Sequence, residues 1–395
     1  MKTYKQTMGV LAIGYWSQAL TNGALRVVVP IYFAATGVPL SKIAFLFFLF
    51  KFAEIFAPAG IGLMLNRVGY KVTFVTALAL HSVISLFYSA PGFALVYVER
   101  FTRGLLYMAD ITAVYVKHFS PKHKQRFLIN AILGLKEASK GIGMIAGGLL
   151  IVYLTIENTL AIFALCTGLS ALFAAWFLPD LKEEARLPVL RIWGAVDTRV
   201  KTLGLGFGLL NGALDAWGVV VLPIYMTTVL GMTPGFVGTV MMGEYIFQGL
   251  IVACFARWVN LSWAPRKLLI LGAFLLIPVT IALSFATALY PLLLGIFIYM
   301  FLFSASMVYY NHLMLDFASE EKTSLDLATY TTLTNIFKPI GVFISGFLAE
   351  SMGYSWAYYF AAIMTLASAL TCIALPKSGP QVADAGASKV NVQVA

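Results

Sequence analysis

Charged residues are scarce in this sequence. Asp, Glu, Lys and Arg together make up 11% of its 395 residues, against about 25% in a soluble globular protein. An ordinary water-soluble enzyme is excluded, and a hydrophobic content of 60% also excludes a disordered chain. Acids are scarcer than bases, 17 against 27, and the formal charge is +10. A nucleic-acid binder gathers such a surplus on a solvated face. Here the cations are scattered between apolar runs, so no nucleic-acid partner is expected. The three cysteines, Cys166, Cys254 and Cys372, each sit inside an apolar stretch without a CxxC, and no disulfide framework is suggested. Four histidines without ligand spacing make a resident metal unexpected. No nucleotide-binding motif occurs, and the chain reads as neither an enzyme nor the carrier of a cofactor.

Apolar length is what the sequence has in abundance, with 30 Phe, 19 Tyr and 14 Met. A helix needs about 20 apolar residues to span a bilayer. Runs at 8–34, 39–65, 71–90, 93–118, 126–155 and 158–178 are followed, after a polar stretch, by runs at 200–229, 234–258, 266–285, 290–318, 325–351 and 355–375. They predict an all-α integral membrane protein of twelve transmembrane helices. The first run is too long, and too polar in its middle, for a cleaved signal peptide. The division that follows is an N-terminal six-helix bundle at 1–179, a cytoplasmic linker at 180–199, a C-terminal six-helix bundle at 200–376, and a disordered cytoplasmic tail at 377–395.

The two bundles read as copies. Asn22-Gly23-Ala24-Leu25 recurs as Asn211-Gly212-Ala213-Leu214. Val27 to Tyr32 recurs, loosened by one residue, as Val219 to Tyr225, with about one extra helical turn before it that keeps both blocks on one face. Lys140-Gly141-Ile142-Gly143 recurs as Lys338-Pro339-Ile340-Gly341, and Gly148 matches Gly346. Six spans per copy give both copies the same topology, and parallel repeats around a midplane cavity are a transporter architecture. Orientation follows from loop cations. With the N-terminus inside, nineteen loop Lys and Arg face the cytoplasm and Lys42 alone faces out, so both termini are expected to be cytoplasmic.

Two motifs carry a family resemblance. Gly62, Asn66, Arg67, Gly69 and Lys71, between the second and third spans, resemble the major facilitator signature GxxxDRxGRK, with Asn66 in place of Asp. Arg100-Phe-Thr-Arg103-Gly104 resembles the same superfamily's RxxQG motif, with Arg103 in place of Gln. More narrowly, Thr21-Asn22-Gly23-Ala24-Leu25-Arg26, Lys136-x-x-x-Lys140-Gly141-x-Gly143 and Asp215-x-Trp217 before Leu222-Pro223 resemble ArsJ-type organoarsenical efflux permeases. Asn22 stands where that family has Asp, and Leu214 where it has Arg. The resemblance implies a major facilitator fold and export of 1-arseno-3-phosphoglycerate or a similar phosphorylated or arsenylated anion. The alternative is a carrier of iron or a metal complex, such as a magnetosome-associated facilitator. The expected location is a bacterial cytoplasmic membrane or one derived from it, and the expected state is a monomer in the lipid bilayer with protons as candidate coupling ion.

A charge within the bilayer costs at least about 2.5–3.5 kcal/mol, so it faces a cavity or pairs. Arg26 offers a fork for phosphate, arsenate or carboxylate, or else ties the first helix to Asp110 or Asp215. Lys136 and Lys140, four residues apart on one helical face, read as an anion clamp, or Lys136 pairs with Glu137. Arg103, Lys338 and Asn22 are further candidates to touch substrate, and Tyr309 and Asn311 are candidates to hydrogen-bond its neutral part. Lys51 and Glu54 read as a local pair. Asp110, Asp215 and Glu244 are the candidate proton carriers. Gly62, Asn66, Arg67, Gly69 and Lys71, with Arg100, read as a conformational latch, and the glycines at 141, 143, 147 and 148 as close helix packing.

The orientation has a direct test. In a cysteine-free background, single cysteines at Glu157 and Glu350 should react with a membrane-impermeant maleimide added from outside. Labelling only from the cytoplasmic side at either position would overturn the orientation.

Overall fold

The computed structural model describes residues 4–89, 93–106, 112, 115–116, 118–119, 122–181, 197–258, 265–317 and 323–375. The expected linker (all but its ends), the tail and Asp110 lie outside the described residues. Among the described residues there is no strand. The N-terminal bundle contains α1 (Tyr4–Ala35), α2 (Leu40–Val68), α3 (Tyr70–Ser85), α4 (Phe93–Leu105), α5 (Lys122–Tyr153) and α6 (Ile156–Phe177). The C-terminal bundle contains α7 (Thr198–Gly218), α8 (Val221–Thr228), α9 (Pro234–Trp258), α10 (Pro265–Leu283), α11 (Leu289–Phe317), α12 (Thr323–Met352) and α13 (Tyr354–Ile373). Helices α7 and α8 together form one crossing, Thr198–Thr228.

That crossing differs from the sequence expectation of a continuous helix. It is interrupted at Val219–Val220, the first residues of the second repeat block, just after the extra turn of the C-terminal copy. In the N-terminal copy α1 runs unbroken through Pro30.

Eight crossings are long and apolar enough to span a membrane among the described residues: α3, α6 and every crossing of the C-terminal bundle. The N-terminal helices missing from this set are α1, α2, α4 and α5, and these carry Arg26, Lys51 and Glu54, Glu99 to Arg103, and Lys136 to Lys140. Of α4 only 13 residues are described. Polarity is thus concentrated on four helices that face inward, while α3 and α6 face lipid. On α6 the exposed side chains Leu165, Leu169, Leu172 and Trp176 form one stripe at helical spacing, with Phe163, Thr167, Ser170 and Ala174 buried behind it.

Lipid gives helices little hydrophobic reason to associate, so small residues set their spacing. Gly23 of α1 abuts the Lys140 carbonyl of α5, and Gly143 of α5 abuts the Leu20 carbonyl of α1. In the second copy Gly212 of α7 abuts the Phe337 carbonyl of α12, and Gly341 abuts the Gly212 carbonyl. A Cβ at any of these glycines would collide with backbone, and the positions are those aligned by the sequence repeat. The glycines of α5 serve two faces. Gly143 and Gly147 meet α1, whereas Gly141 and Gly148 meet Met242 and Pro234 of α9 in the other bundle.

The bundles join along α5–α9 and α2–α12. Gly238 lies against the Met144 carbonyl, Gly346 against Ala44, and Phe343 against Phe45 and Phe48, with ring centroids 5.9 and 5.5 Å apart. The Ser41 backbone N–H donates to Glu350 Oε2 at 2.6 Å. These contacts gather toward the pole holding the α1–α2 and α12–α13 turns, opposite the end where α1 starts and α13 finishes.

Candidate substrate-binding cavity

A cavity of about 710 Å³, counting the open space at its mouth, lies within the N-terminal bundle. Helix periodicity assembles its wall. Tyr15, Gln18, Ala19, Asn22 and Arg26 recur on one face of α1, Phe47, Phe50, Lys51 and Glu54 on one face of α2, Arg100, Arg103 and Gly104 on α4, and Lys136 and Lys140 on α5. Six of these side chains are cationic and one, Glu54, is a carboxylate.

On the α5 side, Glu137 stands between the two lysines, 3.5 Å from Lys136 Nζ and 3.6 Å from Lys140 Nζ. A carboxylate thus occupies the place between the two ammonium groups that the sequence assigns to an anion. The side chain of Glu137 is partly exposed. The Lys140 ammonium also lies 4.5 Å from the Tyr245 ring centroid, and Lys136 lies 5.4 Å from that of Tyr15.

Arg26 reaches across to the C-terminal bundle. Its Nη1 donates to the Tyr245 hydroxyl, and its Nη2 lies 3.9 Å from Asp215 Oδ1. Lys51 binds Glu54 at 3.1 Å and lies 4.0 Å from Asp215 Oδ2. Asp215 therefore sits between two cations of the opposite bundle at distances too long for hydrogen bonds, and its buried Oδ2 accepts none. Lys338 of α12 is half-buried within electrostatic range of Lys51, Asp215, Glu54 and Arg26. Glu244 is buried, its Oε1 accepts no hydrogen bond, and Arg26 is its charged neighbour.

Arg103 is fully buried and all five of its N–H groups are engaged. Nε donates to Glu99 Oε1, Nη1 to Asn22 Oδ1 at 3.3 Å and His81 Nδ1 at 3.2 Å, and Nη2 to Ser85 Oγ at 2.5 Å and the His81 carbonyl at 3.4 Å. The site consequence falls on Asn22. Its carbonyl oxygen is taken by Arg103, which leaves the amide N–H groups for the cavity it lines.

The remaining sequence candidates lie elsewhere. Tyr309 is half-buried, and Asn311 is exposed with Oδ1 accepting from the Tyr330 hydroxyl at 3.4 Å. Neither is among the residues lining the cavity. Gly62, Asn66 and Arg67 occupy the last two turns of α2. Gly69 takes φ +82°, a left-handed conformation suited to glycine, and turns the chain so that Tyr70 N–H meets the Leu181 carbonyl at 3.3 Å. Lys71 follows at the start of α3. Arg67, Gly69 and Lys71 are not among the residues that line the cavity.

Gln18, His81 and Tyr245 were not singled out from the sequence. The spacing Gln18, Asn22, Arg26 puts three polar residues on one stripe of an apolar helix, a signal that was available. His81 stands beside Ser82 in an apolar run, and Tyr245 directly follows the candidate Glu244, a neighbour that was the one available signal for it.

The Major Facilitator Superfamily model matches residues 204–392. Solved structures extend the likeness to both bundles. A bacterial homologue of the human lysosomal transporter Spinster, inward-facing and occupied, aligns over 94% of this chain and 97% of its own at 12% identity, with a TM-score of 0.79. The chain has the major facilitator fold. A variant of the nucleoside transporter NupG aligns over 94% and 99% at 13% identity with TM-score 0.73. The human organic anion transporter TETRAN aligns over 94% and 100% at 14% identity with TM-score 0.67. Among curated proteins, none matches the sequence. In major facilitator terms, the N-terminal bundle here supplies the charged wall and the C-terminal bundle supplies Asp215, Glu244 and Tyr245 opposite it.

The saturation of Arg103 predicts a stability phenotype. Arg103→Gln leaves Glu99 buried with half its charge partners gone, a loss of about 3–5 kcal/mol for a broken buried pair. Thermal unfolding in detergent should show a much lower midpoint for Arg103→Gln than for Arg26→Gln, whose side chain faces the cavity. Equal midpoints would contradict the structural assignment of Arg103.

Proposed function

We propose that this protein is a secondary transporter that moves a small organic anion across the membrane by alternating access, in the direction of efflux. The carrying observation is the cavity wall, where six cations and Glu54 line the space and, even with Glu99, Glu137 and Asp215 beside them, the positive charges outnumber the carboxylates. Each cation in the bilayer costs at least about 2.5–3.5 kcal/mol. A bound anion offsets that cost, and a cationic or neutral substrate does not. The likeness to a protein named as an organic anion transporter points the same way. The resemblance of the Asn22–Arg26, Lys136–Gly143 and Asp215–Trp217 segments to organoarsenical permeases makes phosphorylated or arsenylated metabolites, such as 1-arseno-3-phosphoglycerate, the class to test first.

The site residues take roles in this scheme. Arg26, Lys136, Lys140 and Lys338 draw the anion, and Asn22 donates to it. Glu137 and Asp215 occupy these cations between cycles. An anion arriving at Arg26 and Lys51 displaces Asp215, which becomes free to take a proton. Glu244, whose acceptor oxygen is unfilled, is the second candidate for that proton. Gly62 to Lys71 act as the latch that holds one facing state. The protein works as a monomer in a bacterial cytoplasmic membrane with both termini inside.

Uptake of 3-phosphoglycerate into everted vesicles tests the anion reading. Arg26→Gln and Lys140→Gln should each cut uptake by about tenfold or more, since a hydrogen bond to a charged group contributes about 1.5–3 kcal/mol. Arg26→Lys should recover little, because the fork geometry is lost. Wild-type uptake by a variant with alanine at both positions would refute the reading.

A further inference from the structure

We infer that Arg100 is an anion-binding residue of this cavity, forming a second subsite on the wall opposite Lys136 and Lys140. The inference rests on the anion reading above and adds a residue that the sequence placed in the latch. Arg100 and Arg103 are one turn apart on α4 and identical in kind, but their surroundings divide them. Arg103 has spent every donor. Arg100 is 3% exposed, yet its Nε and Nη2 have no hydrogen-bond partner. Its nearest carboxylate oxygen, Glu99 Oε2, is 3.5 Å away and already accepts from the Tyr88 hydroxyl at 2.9 Å.

Charge and shape both leave room for a ligand. Two buried guanidiniums share the single carboxylate of Glu99, so one positive charge is left uncompensated in a setting where that is costly. The Phe47 and Tyr88 rings lie 4.7 and 5.7 Å from the Arg100 guanidinium carbon. With its faces against rings, a planar guanidinium offers its N–H edge, the geometry that binds carboxylate or phosphate in bidentate fashion. Helix α4 packs on α2, whereas α5 packs on α1. The two subsites are therefore separate, and a substrate with an anionic group at each end engages both. Arg103 is a positioning residue that holds Glu99 and Asn22.

The test compares 3-phosphoglycerate, anionic at both ends, with glycerol 3-phosphate, anionic at one, by calorimetric binding to purified protein. Wild type should favour 3-phosphoglycerate by about tenfold, the contribution of one charge-assisted pair. Arg100→Gln should reduce that preference to within about twofold while glycerol 3-phosphate still binds, and Arg100→Lys should fall between, since charge survives without the fork. A merely structural Arg100 would weaken both ligands together and leave the ratio intact. Retention of the wild-type ratio in both folded variants overturns the Arg100 subsite alone. Failure of wild type to bind either probe overturns the anion reading and this subsite with it.

Discussion

Asp215 lies between Arg26 and Lys51, 3.9 and 4.0 Å from cations that belong to the other bundle. In the bilayer this contact constrains much else. The cations need compensation, because isolated charges there are costly. Asp215 compensates two of them across the interface, but at distances that form no hydrogen bond and with one oxygen unfilled. The α5–α9 and α2–α12 packing joins the bundles, so in the proposed function this long pairing is the one that an arriving anion replaces. Glu137 stands in the same relation to Lys136 and Lys140 within the N-terminal bundle.

The other features serve to keep these charges in place. Glycine contacts between α1 and α5 bring Arg26 and Lys140 to one wall, and the matching contacts between α7 and α12 place Asp215 and Lys338 opposite. The Arg103 hub fixes α4 against α3 through His81 and Ser85, and fixes α1 through Asn22. The N-terminal bundle is consequently rich in buried polar bonds, while the C-terminal bundle has a continuous apolar core around Trp217, Tyr299 and Phe303. In the proposed function, this asymmetry divides the work, with one bundle holding the anion and the other supplying the carboxylates that answer it.

Much of the fold was legible in the sequence because hydrophobic length maps directly onto crossings. Apolar runs located the helices to within a few residues, except the fourth, where only the start can be compared among the described residues, and the repeated Asn-Gly-Ala-Leu block located the equivalent glycines. The interruption at Val219–Val220 was not legible as a break, since an inserted turn and a broken helix look alike in a list of apolar residues. The site was legible as a set of buried charges but not as roles. Arg100 and Arg103 have the same chemistry and lie three residues apart in sequence. What distinguishes them is His81 and Ser85 of α3, which reach Arg103 through tertiary packing. Tyr245, which meets both Arg26 and Lys140, is one of 19 tyrosines and becomes distinctive only when the two bundles are brought together.

The central claim is that Asp215 competes with the transported anion for Arg26 and Lys51. Calorimetric titration of the Asp215→Asn variant with 3-phosphoglycerate tests it most directly, because removing a competitor and removing a ligand-binding group have opposite signs. If Asp215 is the occupant that substrate displaces, the neutral variant should bind the anion about tenfold more tightly, a gain of roughly 1.4 kcal/mol. Unchanged or weaker binding would contradict the account.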